Sequence, residues 1–211
     1  MYSGGIQMKK YDKKSAIKII VHAAKEYEEK LNNKHFLIVY QKKSLTKTVE
    51  IGFRDMNFLH LTGVKTKLSA QQFYAACLES KLAERDFEID NKGKVQQKLM
   101  VLPCLSKLMS HHCLVGEFIN SGVYIRADYF VGDTKAILSV GFRNGNRVDY
   151  PVTLYNEDVK RLSNPTNKVL AIFSKSYKEK CYNKCTYLSK GQEIGKLKLE
   201  EDIRKRIEIV R

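Results

Sequence analysis

Between residues 114 and 155 the chain repeats one pattern: a short run rich in β-branched and aromatic residues, then a turn-forming group. The runs at 114–119, 123–131, 136–143 and 147–155 are punctuated by Asn120-Ser121-Gly122, Gly132-Asp133 and Asn144-Gly145. Branching at Cβ suits a pleated sheet, and Asn-Gly supplies the positive φ that a tight hairpin demands. The span therefore predicts antiparallel strands joined in order as a meander. A sheet of that extent has a face to bury, and the rest of the chain must cover it.

Helices supply the cover. Over 13–32 the residues Ile17, Ile20, Val21, Ala24, Tyr27 and Leu31 recur at helical spacing, and Asn32-Asn33 marks the exit. Residues 35–41 and 48–53 read as a strand hairpin. Ser69 and Gln72 have the spacing of a capping box, starting a helix that presents Phe73, Ala76 and Cys77 and ends near Lys81. After the turn group at 90–93, Val95, Leu99, Leu102, Leu105 and Leu108 continue as a helix that Pro103 must kink or split, because proline lacks the amide hydrogen. Residues 156–162 form a short helix capped by Asn156, and 169–175 and 185–189 are further strands. The tail at 190–211 carries Ile194, Leu197, Leu199, Ile203, Ile207 and Val210 among charges, and reads as an amphipathic helix docked on the body or on a partner. The expected class is α+β, with helices covering one side of an antiparallel sheet. The expected organisation is a leader and helix (1–34), a body (35–189) and the tail (190–211).

The charge narrows the partners. With 38 Lys and Arg against 23 Asp and Glu, the formal charge is +15, a field that attracts polyanions, nucleic acid first and an anionic membrane surface second. No apolar run is long enough for a membrane-spanning helix, the first residues lack the apolar core of a secretory signal, and five cysteines without a tight framework fit reduced thiols in a cytosol. From 159 to 190, eight basic residues face one acidic residue, interleaved with Phe173, Tyr177, Tyr182 and Tyr187. Lysines track a phosphate backbone while aromatic faces stack on unpaired bases, so Lys178, Lys180, Tyr182, Lys184 and Tyr187 are expected to bind single-stranded RNA. A solvated lysine face is the competing reading. No glycine-rich nucleotide loop or serine-hydrolase elbow occurs. His111-His112-Cys113 and Cys181 with Cys185 lack zinc-site spacing, so no metal or cofactor is expected.

Chemistry concentrates at 51–68. Read as an extended backbone, this stretch places Phe58, His60 and Thr62 on one face and Leu59 and Leu61 on the other, with Gly63 turning the chain. His60 exchanges protons near neutrality, Arg54 forks onto phosphate oxygens, Thr62 orients, Lys65 neutralises, and Asn57 reads a base or holds the loop. A core strand with its polar groups satisfied by neighbours is the alternative for His60. Lys175, with Ser174 or Tyr187 near it on the late strands, is the candidate for the remaining cation or proton carrier.

The pattern Arg54-x-x-Asn57-Phe58-x-His60-Leu61-Thr62-Gly63 resembles the motif of a phage-associated family, the fourth branch of the phage barnase/EndoU/colicin/RelE-like nucleases. Weaker support comes from Phe73-Tyr74 ahead of Lys81-Leu82 and from Phe173-Ser174-Lys175. The resemblance runs from about His35 to Ser189 and leaves the first helix and the tail outside. It implies a curved antiparallel sheet and metal-independent cleavage of RNA by 2′-hydroxyl attack, in a host cytosol. Two other classes remain open: a non-catalytic RNA- or DNA-binding phage effector using the same basic surface, and an interaction factor that engages a host or phage protein through the tail.

Overall fold

The computed structural model describes residues 10–90, 93–118, 127–133 and 137–209. Helix α1 (Lys13–Lys30) starts where the Asp12 carboxylate accepts the Ser15 amide hydrogen at 2.8 Å, and it buries Ala16, Ile20, Ala23, Ala24 and Tyr27 as one stripe. Asn33 then adopts φ 55, which turns the chain into the hairpin of β1 (Lys34–Lys42) and β2 (Leu45–Phe53). Helices α2 (Asp55–Thr62), α3 (Ala70–Leu78) and α4 (Lys94–Val101) follow, with the small pair β3 (Lys65–Thr66) and β4 (Phe87–Glu88) between them. The capping box of α3 forms as its sequence predicts. So does the break at Pro103, where α4 passes into a 3-10 run over Leu102–Ser110.

The strands β5 (Leu114–Phe118), β6 (Tyr129–Asp133), β7 (Leu138–Arg143) and β8 (Tyr150–Tyr155) form the expected antiparallel meander. The turn group at 120–122 and the portions of the runs at 119, 123–126 and 136 lie outside the described residues, and Gly132-Asp133, expected as a turn, instead ends β6. A one-turn helix, α5 (Val159–Leu162), is capped by Asp158 rather than Asn156, the Asp158 carboxylate accepting the Lys160 amide hydrogen at 2.9 Å. The 14-residue β9 (Ser163–Ser176) is the spine: its first half pairs with β5, and its second half lies between β1 and β10 (Lys184–Leu188). The strand order is β2-β1-β9-β5-β6-β7-β8.

This sheet curls into a half-barrel, and its two ends meet. The amide of Gly52 donates to the Asp149 carbonyl at 2.8 Å, and the Asp149 amide donates to the Glu50 carbonyl at 2.9 Å. Inside, helices α1–α4 and the 3-10 run pack against Phe36, Ile38, Ile51, Phe53, Val140 and Phe142. Tyr27, Phe53, Phe58 and Tyr74 interlock edge to face, with ring centroids 5.2–5.9 Å apart. None of the described helices is long and apolar enough to cross a membrane. All five cysteines are free.

Two expectations are corrected. Residues 55–62 are helical, not extended: Asn57 Oδ1 accepts the Arg54 amide hydrogen at 2.9 Å, Gly63 stops the helix at φ 76, and Asn57, Phe58, Leu61 and Thr62 form the buried stripe. His60 and Thr62 therefore do not share a face. The tail is not one helix either. It runs as a strap containing a 3-10 turn at Ile194–Lys196 and the short α6 (Glu201–Arg204), with Gly191 at φ 81 and Gly195 interrupting any longer helix. Its apolar residues Ile194, Leu197, Leu199, Ile203 and Ile207 cover Leu37, Val39, Ala171, Phe173 and Tyr182 on the outer face of the sheet.

Candidate active site

A cleft of about 1380 Å³ opens where the ends of the sheet meet. His35 enters it from the start of β1, Gly52 and Arg54 from the end of β2, and Asn57 and His60 from α2. The remaining walls are Met56 of α2, Ala70 and Gln71 at the start of α3, Tyr177, the β7–β8 turn with Arg143, Arg147 and Asp149, and the β8 residues beyond it.

Arg54 is the best-braced of these groups. Its amide is fixed by Asn57, and its carbonyl accepts the Tyr27 hydroxyl at 2.9 Å. The exposed guanidinium lies over the Tyr177 ring, 4.1 Å from the centroid. A guanidinium stacked by one face keeps its hydrogen-bonding edge available for an anion. No ion pair holds it among the described residues.

His35 stands edge-on to the same ring at 4.7 Å. Its place depends on Gly52, its partner in the β1–β2 register: a Cβ there would lie 3.1 Å from both the His35 ring and the Val148 side chain. On its other side in the sheet stands Lys175 of β9. Burial, then the Lys175 ammonium, and more weakly Arg54 and Arg206, push the imidazole below its ordinary value against an opposing pull from Glu50. These effects favour the neutral imidazole, the form able to accept a proton.

His60 lies on the exposed face of α2, and its carbonyl accepts the Lys98 ammonium at 2.8 Å. Burial lowers the Lys98 pKa to about 8. The stem of Lys98 crosses Gly63, where a Cβ would approach it to 2.7 Å.

The other expected site residues are placed differently. Thr62 is fully buried, its hydroxyl donating to the Leu59 carbonyl at 2.8 Å and accepting from the Val64 amide at 3.3 Å, which closes the C-terminus of α2. Thr62→Val is expected to cost about 1 kcal/mol through loss of these bonds, seen as a lower denaturation midpoint; an unchanged midpoint would show that the hydroxyl contributes nothing. Lys175 does not line the cleft: its ammonium donates to the Lys180 carbonyl at 3.0 Å and lies 5.0 Å from the Tyr182 ring centroid. Lys65 is exposed on β3, and Ser174 is buried opposite Phe36. Lys178, Lys180 and Lys184 are exposed outside the cleft lining. The Tyr182 ring is in the core rather than free to stack on a base: it is 0% exposed, and its hydroxyl donates to Glu50 at 2.8 Å. Tyr187 is half-buried against the main core. Tyr182, ahead of β10, packs under the tail on the outer face of the sheet and Tyr187, within β10, packs against the main core, while the lysines face solvent; of these tyrosines only Tyr177, beyond the end of β9, reaches the cleft.

Sequence reasoning passed over His35, Tyr177, Arg143 and Arg147. One signal was present: Gly52 interrupts a strand of otherwise bulky residues, which marks a close approach, and the hairpin register puts His35 at that point. Among the described residues no group of three or more His, Cys, Asp or Glu side chains is arranged to hold a metal ion.

A curled antiparallel sheet packed on helices, with a cleft lined by His35, Arg54 and His60, defines an α+β protein whose cleft presents guanidinium and imidazole groups in a strongly basic chain. The family described as phage-Barnase-EndoU-ColicinE5/D-RelE like nuclease 4 matches residues 19–191. The chain belongs to that nuclease family, whose substrates are nucleic acids. The match begins inside α1, so the first helix is in large part within the family region rather than an addition before it. No curated protein and no solved structure matches the chain.

Proposed function

We propose that this protein is a metal-independent ribonuclease, of phage or prophage origin and acting in the host cytoplasm, that cleaves single-stranded RNA by attack of a ribose 2′-hydroxyl on the adjacent phosphodiester. The observation that carries the reading is the grouping around Tyr177. A guanidinium stacks on one ring, an imidazole abuts the same ring, and a second histidine lines the same cleft.

In this reading His35 takes the proton of the 2′-hydroxyl, and the resulting oxygen bonds to phosphorus. Arg54 neutralises the charge that builds on the non-bridging oxygens, a role that its fixed backbone and free edge suit. His60 delivers a proton to the departing 5′-oxygen as the P–O bond breaks. The products are a 2′,3′-cyclic phosphate and a free 5′-hydroxyl, and one proton has passed from His60 while another has been gained by His35. Asn57 holds the Arg54 backbone, and Lys175 acts through His35 by keeping it deprotonated. The exposed lysines of 178–184 draw the chain's polyanionic substrate toward the body. The test is purified protein with mixed RNA in EDTA, the wild type beside His60→Ala. Cleavage by the wild type alone supports the assignment; tight binding with no cleavage of any RNA favours a non-catalytic nucleic-acid-binding protein.

A further inference from the structure

The tip of the β7–β8 hairpin carries charge and aromatic surface that the chemistry above does not use. Arg143 and Tyr150 are directly opposed in the β7–β8 register, so their side chains leave the same face of the hairpin. Arg147 follows in the connecting turn, and all three line the cleft. Both arginines are exposed, and neither has an ion-pair partner among the described residues.

Acids stand close by in sequence and at the sheet junction, yet they are committed to building the turn. Asp128 Oδ2 accepts the Asn144 amide hydrogen at 2.7 Å, Asp149 Oδ1 accepts the Gly145 amide hydrogen at 3.0 Å, and Asp149 Oδ2 accepts the Tyr129 hydroxyl at 2.9 Å. These bonds hold the turn, while its arginines have no ion-pair partner among the described residues. Tyr150 and Tyr177 are the large exposed aromatics among the described residues, at 39% and 47%, and both border this one cleft.

We propose that this hairpin tip is a second nucleotide subsite: Arg143 and Arg147 take a phosphate next to the scissile one, and Tyr150 stacks on an unpaired base. The proposal deepens the ribonuclease reading and rests on it for the position of the scissile phosphate. Its ligand class is a single-stranded oligonucleotide. A duplex keeps its base faces stacked on one another, whereas an unpaired strand offers both faces for an aromatic ring and phosphates at regular intervals for arginine. The cleft exceeds the roughly 300–1,000 Å³ of a small-molecule pocket, which fits a polymer crossing from Tyr177 to Tyr150.

The test uses the full chain and fluorescence anisotropy with labelled all-2′-deoxy oligonucleotides, a hexamer and a dimer, which lack the attacking hydroxyl and so report binding alone. Arg143→Ala with Arg147→Ala is expected to weaken hexamer binding about tenfold or more at low salt, to flatten the salt dependence by about 0.7 in log–log slope for each phosphate no longer neutralised, and to leave dimer binding nearly unchanged. Tyr150→Ala is expected to weaken the hexamer about fivefold or more, with Tyr150→Phe close to wild type because the ring is retained. The wild type should prefer the single-stranded hexamer over its duplex. Hexamer affinity unchanged in both the arginine and the Tyr150→Ala variants overturns the subsite, as does equal or tighter binding of duplex. Hexamer binding that depends on these residues in a protein that cleaves no RNA would refute the ribonuclease reading and leave the subsite standing.

Discussion

His35→Ala is expected to slow RNA cleavage by about a hundredfold to ten-thousandfold, the usual cost of removing a positioned base, while RNA affinity changes only a few-fold. The residue has the environment a base needs. It is half-buried between Gly52 and Lys175 and packed against Tyr177, and its imidazole is held below the ordinary histidine value of about 6.5 by burial first and by Lys175 next. A base acts only when deprotonated, so the acidic limb of the kcat/KM profile should fall below that value. Lys175→Ala removes a nearby positive charge, raises the His35 pKa, and should move the limb to higher pH with the fold intact. A merely structural Lys175 would leave the limb where it was. Retention of wild-type rate in His35→Ala would remove this residue from the mechanism.

Arg206→Ala is expected to destabilise the docking of the tail on the outer face of the sheet. Two nitrogens of Arg206 donate to the two oxygens of Glu50, each at 2.6 Å, and the Tyr182 hydroxyl adds a third bond at 2.8 Å. The Tyr182 backbone is also tied to the tail, its amide donating to the Arg206 carbonyl at 2.7 Å and its carbonyl accepting from Glu208 at 2.9 Å. The Glu50 side chain is 19% exposed, so losing its partner strands a largely buried carboxylate. Breaking a fully buried pair costs about 3–5 kcal/mol, and partial exposure here reduces that to about 1–3 kcal/mol. The drop in melting temperature at roughly 2–4 °C per kcal/mol is then about 2–12 °C.

The pH dependence has a definite sign. Burial alone would raise the Glu50 carboxyl, and the Arg206 and Tyr182 hydrogen bonds outweigh it, so the folded-state pKa lies below the ordinary 4.5. Its contribution to stability is therefore present above pH 4.5 and is lost as the pH falls through the lower folded value. Without Arg206 the burial effect prevails, and acid destabilisation should begin at higher pH than in the wild type. Equal denaturation midpoints for the two proteins at pH 7 would show that the strap is held by its apolar residues alone.

Local chemistry made much of the fold legible. The capping box at Ser69 and the split at Pro103 each depend on residues a few positions apart, and each appears where the sequence places it. Asn144 and Gly145 do lie between β7 and β8, but within a longer connection over 144–149 in which neither has positive φ, so the tight two-residue turn does not form. The stretch 55–62 misled because a short apolar run satisfies alternation and helical spacing together; the spacing of Asn57, Phe58, Leu61 and Thr62 before Gly63 is the helical signature. Arg54, Asn57 and His60 were legible as site residues because one local motif carries them. The other half of the cleft was not, since it exists only because the curled sheet brings Asp149 against Glu50 and Gly52. No local pattern announces that closure, and with it went Arg143, Arg147 and the value of His35. Tyr177 stood in the sequence among lysines like Tyr182 and Tyr187, and only its position past the end of β9 separates it from those buried neighbours.

The central claim is attack by a ribose 2′-hydroxyl without a metal ion, and one measurement addresses it directly. An RNA oligonucleotide that the protein cleaves at a known linkage is compared, in EDTA, with the same strand carrying a single 2′-deoxy nucleotide on the 5′ side of that linkage. Mass spectrometry identifies the ends. The account predicts a 2′,3′-cyclic phosphate and a 5′-hydroxyl from the all-ribose strand and no cleavage at the deoxy position. Cleavage that persists at the deoxy linkage, or that stops in EDTA and returns with a divalent cation, would contradict it.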